Sequence, residues 1–498
     1  MKFLDFLRKG KSAISTYTMW RAGLPFTGSK LRGSFDDLYP SKYLLDFNAL
    51  RTISRRNTFE SDQARAITNR LDINVIGTGL KLSCTPTWEL VQGQLSWTDE
   101  EKQKFTREIE LRFFLWANSH EPDSTGRMSL GELQSYMFSN LLKDGETFII
   151  LRYSPDKTRI SPLSLQFINP DQIWDIDLMP ESQIKLSADT YQQDGIEFDL
   201  SGKPLAIYVR AGAEMKIQRV PFRGTERTFV LHPALITEIG QVRGVSPVAM
   251  IAHDLEKLTD YSVAEVEAAV NNALIAGWIK PSDDANSSHP FAALAAQGAV
   301  KDTGTDKGPT RVDKAGFWIQ NLKAGEEMQS FDTKRPNVNF GTFVDSVCSY
   351  LTASLGIPLE ITKMMFNQNY SASRAALILY WQTVEKWRAS IVSQFLHPVY
   401  KAWFSEEVKA GRINAPGFGD SPLLTEAWLT ADWIGSSLPS IDPRAEAEAD
   451  TIRLQQGATT YERNALKYNG SDFRDNCEKQ KKEKSLLADT GEVISDGQ

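Results

Sequence analysis

From Ser246 to Ala276 the chain repeats small and apolar residues at a three-four spacing: Val248, Ile251, Leu255, Leu258, Ser262, Val266, Ala269 and Ala273. Ser246 stands as an N-cap, Pro247 takes the first helical position, and Gly277 follows the last turn. If unbroken, such a helix spans about 45 Å at 1.5 Å per residue. Too little neighbouring sequence exists to cover it inside one subunit. Burial against adjacent copies in a cyclic assembly is the economical solution, because heterologous contacts that close give rings.

A second constraint lies between Phe340 and Gly411. Phe340, Phe343, Val344, Val347 and Leu351 fall at helical spacing, and the pattern ends at Gly356-Ile357-Pro358. A polar loop follows, including Lys363, Asn367, Gln368, Asn369, Tyr370, Ser371 and Arg374. A longer helical pattern then starts near Ser371 or Ser373, either of which could cap it, and passes Trp387 and Phe395 toward Gly411. Pro398 interrupts it, which predicts a kink or break around Gln394 to His397.

The rest of the chain reads more coarsely. Residues 1–60 have the composition of an irregular arm. A helix starts from Ser61, with Asp62 in its first turn, and another covers Thr98 to Ala117, with Thr98 as cap and Glu101 three residues on. Asp123 to Gly126 is a loop, Ser129 to Leu142 a helix and Glu146 to Tyr153 a strand. From Leu163 to Leu231, β-branched runs separated by "DG" and "SGKP" predict a β-rich unit with hairpin turns. Residues 280–309 change to Asp, Ser, Asn, Gly, Thr and Ala and read as a surface excursion. Phe317 to Phe331 predicts a hairpin with its turn at Lys323 to Gly325. A helical block follows from Pro443, with one helix ended at Gly457, another from Tyr461 to Lys467, and a charged, frayed tail.

Charge narrows the function classes. The net charge of −7 is opposite to the basic surface of a protein that holds DNA by neutralising many phosphates. A wall that repels phosphate suits a conduit, although mild acidity is also common among globular proteins. Cys84, Cys348 and Cys477 are far apart and support neither a disulfide framework nor a zinc site, which predicts a reducing compartment. The N-terminus lacks a continuous apolar stretch after its first charges, and no window approaches a membrane-spanning length, so neither a signal peptide nor a membrane partner is expected.

Catalytic signatures are missing. Gly77-Thr78-Gly79 lacks the third glycine of a dinucleotide loop and reads better as a tight turn after a helix. In Gly304 to Thr310 no Lys-Ser or Lys-Thr follows Gly308, so no lysine reaches the β- and γ-phosphates and ATP hydrolysis is not expected of this chain. His120, His232, His253, His289 and His397 offer no metal-ligand spacing. Neither an enzyme nor a cofactor is predicted.

The order in which these segments occur resembles the portal proteins of tailed phages, specifically the lambda-like family. The resemblance is carried by "ARAITNRLDINVIGTGLKL" (Ala64 to Leu82), Phe114 to Tyr153, Asp194 to Arg210, Arg243 to Ile279, "FVDSVCSYLTASLGIPLE" leading into "NYSASRAALILYWQTVEKW", and Asp442 to Thr460. It implies an α+β portal fold with long stem helices, a β-containing wing and clip, and a helical C-terminal crown, assembling as a cyclic ring. The implied parts are an N-terminal arm (1–60), a wing (61–245), stem helices (246–276 and 340–356), a clip (277–339), a channel loop (357–373), a long kinked helix with the wing return (374–442), and the crown with its tail (443–498).

The family further implies a dodecameric DNA channel at one capsid vertex, in the virion and, during assembly, the host cytoplasm. Its implied partners are double-stranded DNA held transiently and without sequence preference, the terminase large subunit, a head-tail adaptor, and the major capsid and scaffold proteins. Lys363, Asn367, Gln368, Asn369, Tyr370, Ser371 and Arg374 would form the channel loop, and Trp318, Lys323, Glu326 and Glu327 the clip surface that meets partners. The bland alternatives are a polar connection between two helices and a long insertion. A metal-dependent nucleic-acid-processing enzyme and a scaffold protein that forms no ring are the readings from other classes.

Overall fold

Helix α1 (Phe47–Glu60) begins at Asp46, whose Oδ1 accepts from the Ala49 N–H at 3.0 Å. This corrects the irregular arm expected over residues 1–60 only for Phe47–Glu60; the arm's residues 1–45 lie outside the described residues. The inner face of α1 is Leu50, Arg51, Ser54 and Asn57, so its periodicity is written mostly in polar residues. A search for apolar spacing passes over it. The computed structural model describes residues 46–91, 97–176, 186–211, 216–225, 227–274, 278–280, 310–311, 318–319, 327–329, 339–365, 370–438, 443–469 and 473–489. Two units divide the chain: Met1–His253 with Leu351–Gln498, and Asp254–Tyr350.

In the first unit, α2 (Asp62–Val75) is capped by Ser61 and buries Ala64, Ile67, Leu71 and Val75. A turn at Gly77 to Gly79 leads into β1 (Lys81–Cys84), as the tight-turn reading expects. β1 pairs antiparallel with Ala431–Ile434, a partner that no local pattern announces. After α3 (Trp88–Val91) come α4 (Asp99–Asn118) and α5 (Leu130–Asp144). Both open with reciprocal capping boxes, Thr98 with Glu101 and Ser129 with Glu132.

The predicted β-rich stretch is two antiparallel sheets. β2 (Phe148–Tyr153) lies between β3 (Leu163–Ile168) and β8 (Val230–Leu231). The other sheet runs β4 (Thr190–Gln193), β5 (Ile196–Asp199), β6 (Pro204–Ala211), β7 (Lys216–Pro221) in order. The Asp194-Gly195 turn between β4 and β5 has positive φ at both residues, 51° and 81°, the geometry that a two-residue "DG" hairpin demands. Phe148, Ile150 and Ile168 from one sheet share a core with Ile196, Phe198, Ile207 and Val209 from the other. This apolar burial holds the sheets together.

Helix α6 (Pro247–Leu274) realises the long pattern, with the Ala249 N–H donating to Ser246 Oγ at 3.2 Å. In the second unit, Tyr261 of α6 packs its ring 5.7 Å from Phe340 and 5.0 Å from Phe343 at the start of α7 (Phe340–Ser354). Short strands lie between the two helices: β9 (Trp278–Lys280), β10 (Thr310–Arg311), β11 (Trp318–Ile319) and β12 (Glu327–Gln329). The hairpin expected over Phe317 to Phe331 is corrected. β11 pairs with β10, and β12 with β9, so the two arms of the expected hairpin have different partners. Turn chemistry marks where a chain can bend, not which strand it then meets.

Returning to the first unit, α8 (Leu359–Lys363) precedes α9 (Tyr370–Ile391), which runs through a π-helical turn at Val392–Leu396 into α10 (His397–Lys409). The disturbance expected near Pro398 is therefore a widened turn within a continuous helical run. A proline lacks the N–H for an α-helical bond, and the π turn absorbs that mismatch. α11 (Pro422–Trp428) and β13 (Ala431–Ile434) follow. Phe113 of α4 touches the rings of Tyr400 and Trp403 of α10 and Trp433 of β13, an aromatic core drawn from distant segments.

The C-terminal block is helical: α12 (Pro443–Gln455), α13 (Tyr461–Asn469) and α14 (Phe473–Asp489). α14 corrects the frayed tail that the charge run suggested as far as Asp489, residues 490–498 lying outside the described residues, and Phe473 at its start stacks on Tyr461, ring centroids 5.2 Å apart.

Candidate functional site

Among the described residues after α7, a short helical block lies between two left-handed residues, Gly356 and Met364. Gly356 has φ +73°, and a Cβ there would lie 2.8 Å from Thr383 Oγ1, so only glycine lets the chain reverse this close to α9. Ile357 then buries fully. α8 ends at Met364 with φ +55°, whose N–H donates to the Glu360 carbonyl. Left-handed geometry at a non-glycine residue is uncommon and costs of order 1 kcal/mol or more. The Arg70 guanidinium donates to the Met364 sulfur. Met364 and Met365 are exposed.

Within the segment expected as the channel loop, 357–373, α8 occupies Leu359–Lys363 and α9 begins at Tyr370. Neither Ser371 nor Ser373 is its cap. Lys363 is exposed in the last turn of α8. Tyr370 and Ser371 open α9. Arg374 lies one turn further, its Nη2 3.7 Å from Glu446 Oε1 of α12, so this cation already faces a carboxylate. Asn367, Gln368 and Asn369 lie outside the described residues.

Of the expected clip residues, Trp318 sits in β11 opposite Arg311, and Glu327 in β12 opposite Lys280. They belong to separate strand pairs. Lys323 and Glu326 lie outside the described residues.

Sequence reasoning missed a buried charge cluster centred on Glu146. Its carboxylate is withdrawn from solvent and accepts from Arg243 Nε at 2.7 Å, Arg51 Nη1 at 3.2 Å and the Gly244 N–H at 3.1 Å, with His232 Nε2 at 2.9 Å. Burial by itself would raise the pKa of Glu146. The charge of Arg243 and the bond and charge of His232 outweigh it and hold the carboxyl down to about 2. Arg243 also donates to the Asp194 and Pro170 carbonyls, which ties both sheets to the cluster. The His232 ring stacks on Phe148 with centroids 4.1 Å apart. Beside it, Arg55 donates to Asp144 at 2.6 and 2.9 Å and to Asp171 at 2.5 Å. The only sequence signal was the pair of acids flanking Gly145 in "DGE", too common a pattern to single out.

This cluster has little to offer chemistry, because the Glu146 carboxylate is saturated by donors. The Cys84 thiol is also quiet: burial pushes its pKa up to about 12, against a lowering contribution from the Tyr400 hydroxyl 3.5 Å away. Among the described residues, no group of three His, Cys, Asp or Glu side chains could hold a metal ion, and no helix is long and apolar enough to cross a membrane.

Comparison with known proteins supplies what geometry alone does not. The chain is 22% identical to the portal protein of Escherichia phage N15, over 94% of this chain and 90% of that protein. It is 20% identical to portal protein B of Escherichia phage lambda, over 94% of this chain and 89% of that protein. These relatives are named as portal proteins, not as enzymes. Among solved structures, a chain from the neck of an empty GTA particle matches with a TM-score of 0.46 and 11% identity, covering 84% of this chain and 92% of that one. An HK97 family phage portal protein from Corynebacterium diphtheriae matches with a TM-score of 0.31 and 12% identity, covering 73% and 93%. The family described as phage portal protein, lambda family, matches residues 41–388, which is most of the chain, and the chain therefore belongs to the lambda family of phage portal proteins.

Proposed function

We propose that this chain closes into a dodecameric ring at one capsid vertex, through which DNA is packaged and later ejected. Beyond family membership, the observation that carries the ring is an uncovered apolar stripe on α6. Val263, Val266 and Val270 recur at three-four spacing and are 51%, 60% and 53% exposed. Valines left in water along one helix face favour burial against another copy, worth about 25 cal/mol per Å² of apolar surface removed from solvent.

The stem is assigned to 246–276 and 340–356, the clip to 277–339, the channel loop to 357–373, the wing to 61–245, and the crown to residues from 443. Asn367, Gln368 and Asn369 would meet the duplex through neutral donors and acceptors, with Lys363 adding at most one cation per subunit. Such contacts exchange easily, as a sliding duplex requires. The clip, with Trp318, Lys323, Glu326 and Glu327, would meet the terminase large subunit and then a head-tail adaptor. The wing would meet the major capsid and scaffold proteins. The protein would act in the virion after assembling in the host cytoplasm.

Electron microscopy of the purified full chain, with class averages viewed down the symmetry axis, tests this. Rings of about a dozen subunits with a central hole are expected from cyclic closure. A monomer or dimer at every concentration would overturn the self-assembling ring.

A further inference from the structure

The root of the long helix α6 is held by a hydroxyl shared among three helices. Ser246 Oγ donates to the Leu142 carbonyl of α5 at 2.7 Å and accepts from the Ala249 N–H at 3.2 Å. A serine hydroxyl has a single proton, and here it is committed to Leu142. The remaining contact, Ser54 Oγ of α1 at 2.7 Å from Ser246 Oγ, must therefore be donated by Ser54. All of these groups are buried or nearly so, so a missing partner cannot be replaced freely by water.

Helix α1 is bound to the first unit in an unusual way. Of its four buried residues, Leu50, Arg51, Ser54 and Asn57, only the first is apolar. Its attachment is directional: Arg51 to Glu146 and Asp171, Arg55 to Asp144 and Asp171, Ser54 to Ser246. Apolar contact weakens gradually as a helix shifts, whereas these bonds require one position and fail together when it is lost. The same Glu146 also receives the Gly244 N–H, two residues before Ser246, so the strap and the segment entering α6 share an anchor.

We propose that α1 is a polar strap that locks the root of α6, with the Ser54 to Ser246 bond as its catch, so that drawing α1 away loosens the first turn of the long helix. Coupling of this kind is reciprocal: tightening the α6 root also favours the docked strap. The device concerns the described first unit and stands whether or not the ring reading holds.

Amide hydrogen exchange on the full chain tests it, comparing the native protein with Arg55→Met, Ser54→Ala, Ser54→Thr and the exposed control Arg56→Met. Arg55 is partly exposed, so its replacement should leave the unit folded. Arg55→Met is expected to speed exchange of α1 and of residues 249–253 together, by about tenfold or more, while β2 amides keep their protection. Ser54→Ala should speed the α6 root, Ser54→Thr should restore it by keeping the hydroxyl, and Arg56→Met should change neither. Faster exchange in α1 with an unchanged α6 root would overturn the strap. Equal acceleration everywhere, β2 included, would also overturn it, because it would mean general destabilisation in place of a coupled pair.

Discussion

Arg51 and Glu146 are 95 residues apart in sequence and meet at 3.2 Å, with almost no solvent access to either side chain. The contact fastens the first described helix to the segment entering β2. Arg243 meets the same carboxylate oxygen, Oε1, at 2.6 Å, so two arginines share one counter-ion.

Glu146→Gln keeps the shape and removes the charge, leaving Arg51 and Arg243 buried without their shared counter-ion. Breaking a buried pair in this way costs about 3–5 kcal/mol. Urea denaturation followed by tryptophan fluorescence should show the loss; a change under about 1 kcal/mol would mean that the cluster relaxes around a neutral side chain.

Stability should fall in acid for the same reason. The Glu146 carboxyl is depressed to about 2 in the folded chain from an ordinary value of 4.5. The unfolded state therefore takes up its proton first as pH drops. The stabilisation is fully present above that ordinary value and is lost progressively as pH falls toward 2. Chemical denaturation at a series of pH values should show this decline, and Glu146→Gln should flatten it.

Gly145 carries φ +81°, and a Cβ there would lie 2.3 Å from the Val245 carbonyl carbon, where backbone faces backbone. Gly145→Ala adds a left-handed penalty of about 1–2 kcal/mol to overpacking of about 1–3 kcal/mol. A lowered thermal midpoint is expected. An unchanged midpoint would show that the α5 to β2 junction and the entry to α6 can move apart.

Val266→Asp places a charge in the middle of the exposed α6 stripe. Mass photometry should find the chain folded but unable to form rings, since a buried unpaired carboxylate opposes subunit contact. Normal rings would remove this stripe from the interface.

Replacing Asn367, Gln368 and Asn369 together with Ala should leave ring assembly intact and shorten or destabilise the packaged genome. Full-length, stably retained DNA in such particles, measured by pulsed-field electrophoresis, would sink the channel-loop assignment.

What the sequence determined by itself is local. The caps at Ser61, Thr98, Ser129 and Ser246, the "DG" turn at Asp194-Gly195, and the spacings of α6 and α7 each lie within a few residues of the groups they satisfy, so short-range pattern reveals them. The order of the segments also carried the family, which the match over residues 41–388 establishes. What only the tertiary structure decided is pairing at a distance. α1 hides among polar residues because its partners, Glu146, Asp171 and Ser246, are supplied by later segments. β1 meets β13 across more than three hundred residues, and β11 and β12 turn away from each other to separate partners. A residue's own neighbours determine whether it can cap, turn or alternate, but which buried charge or strand edge it meets is settled by the free energy of the whole packed unit.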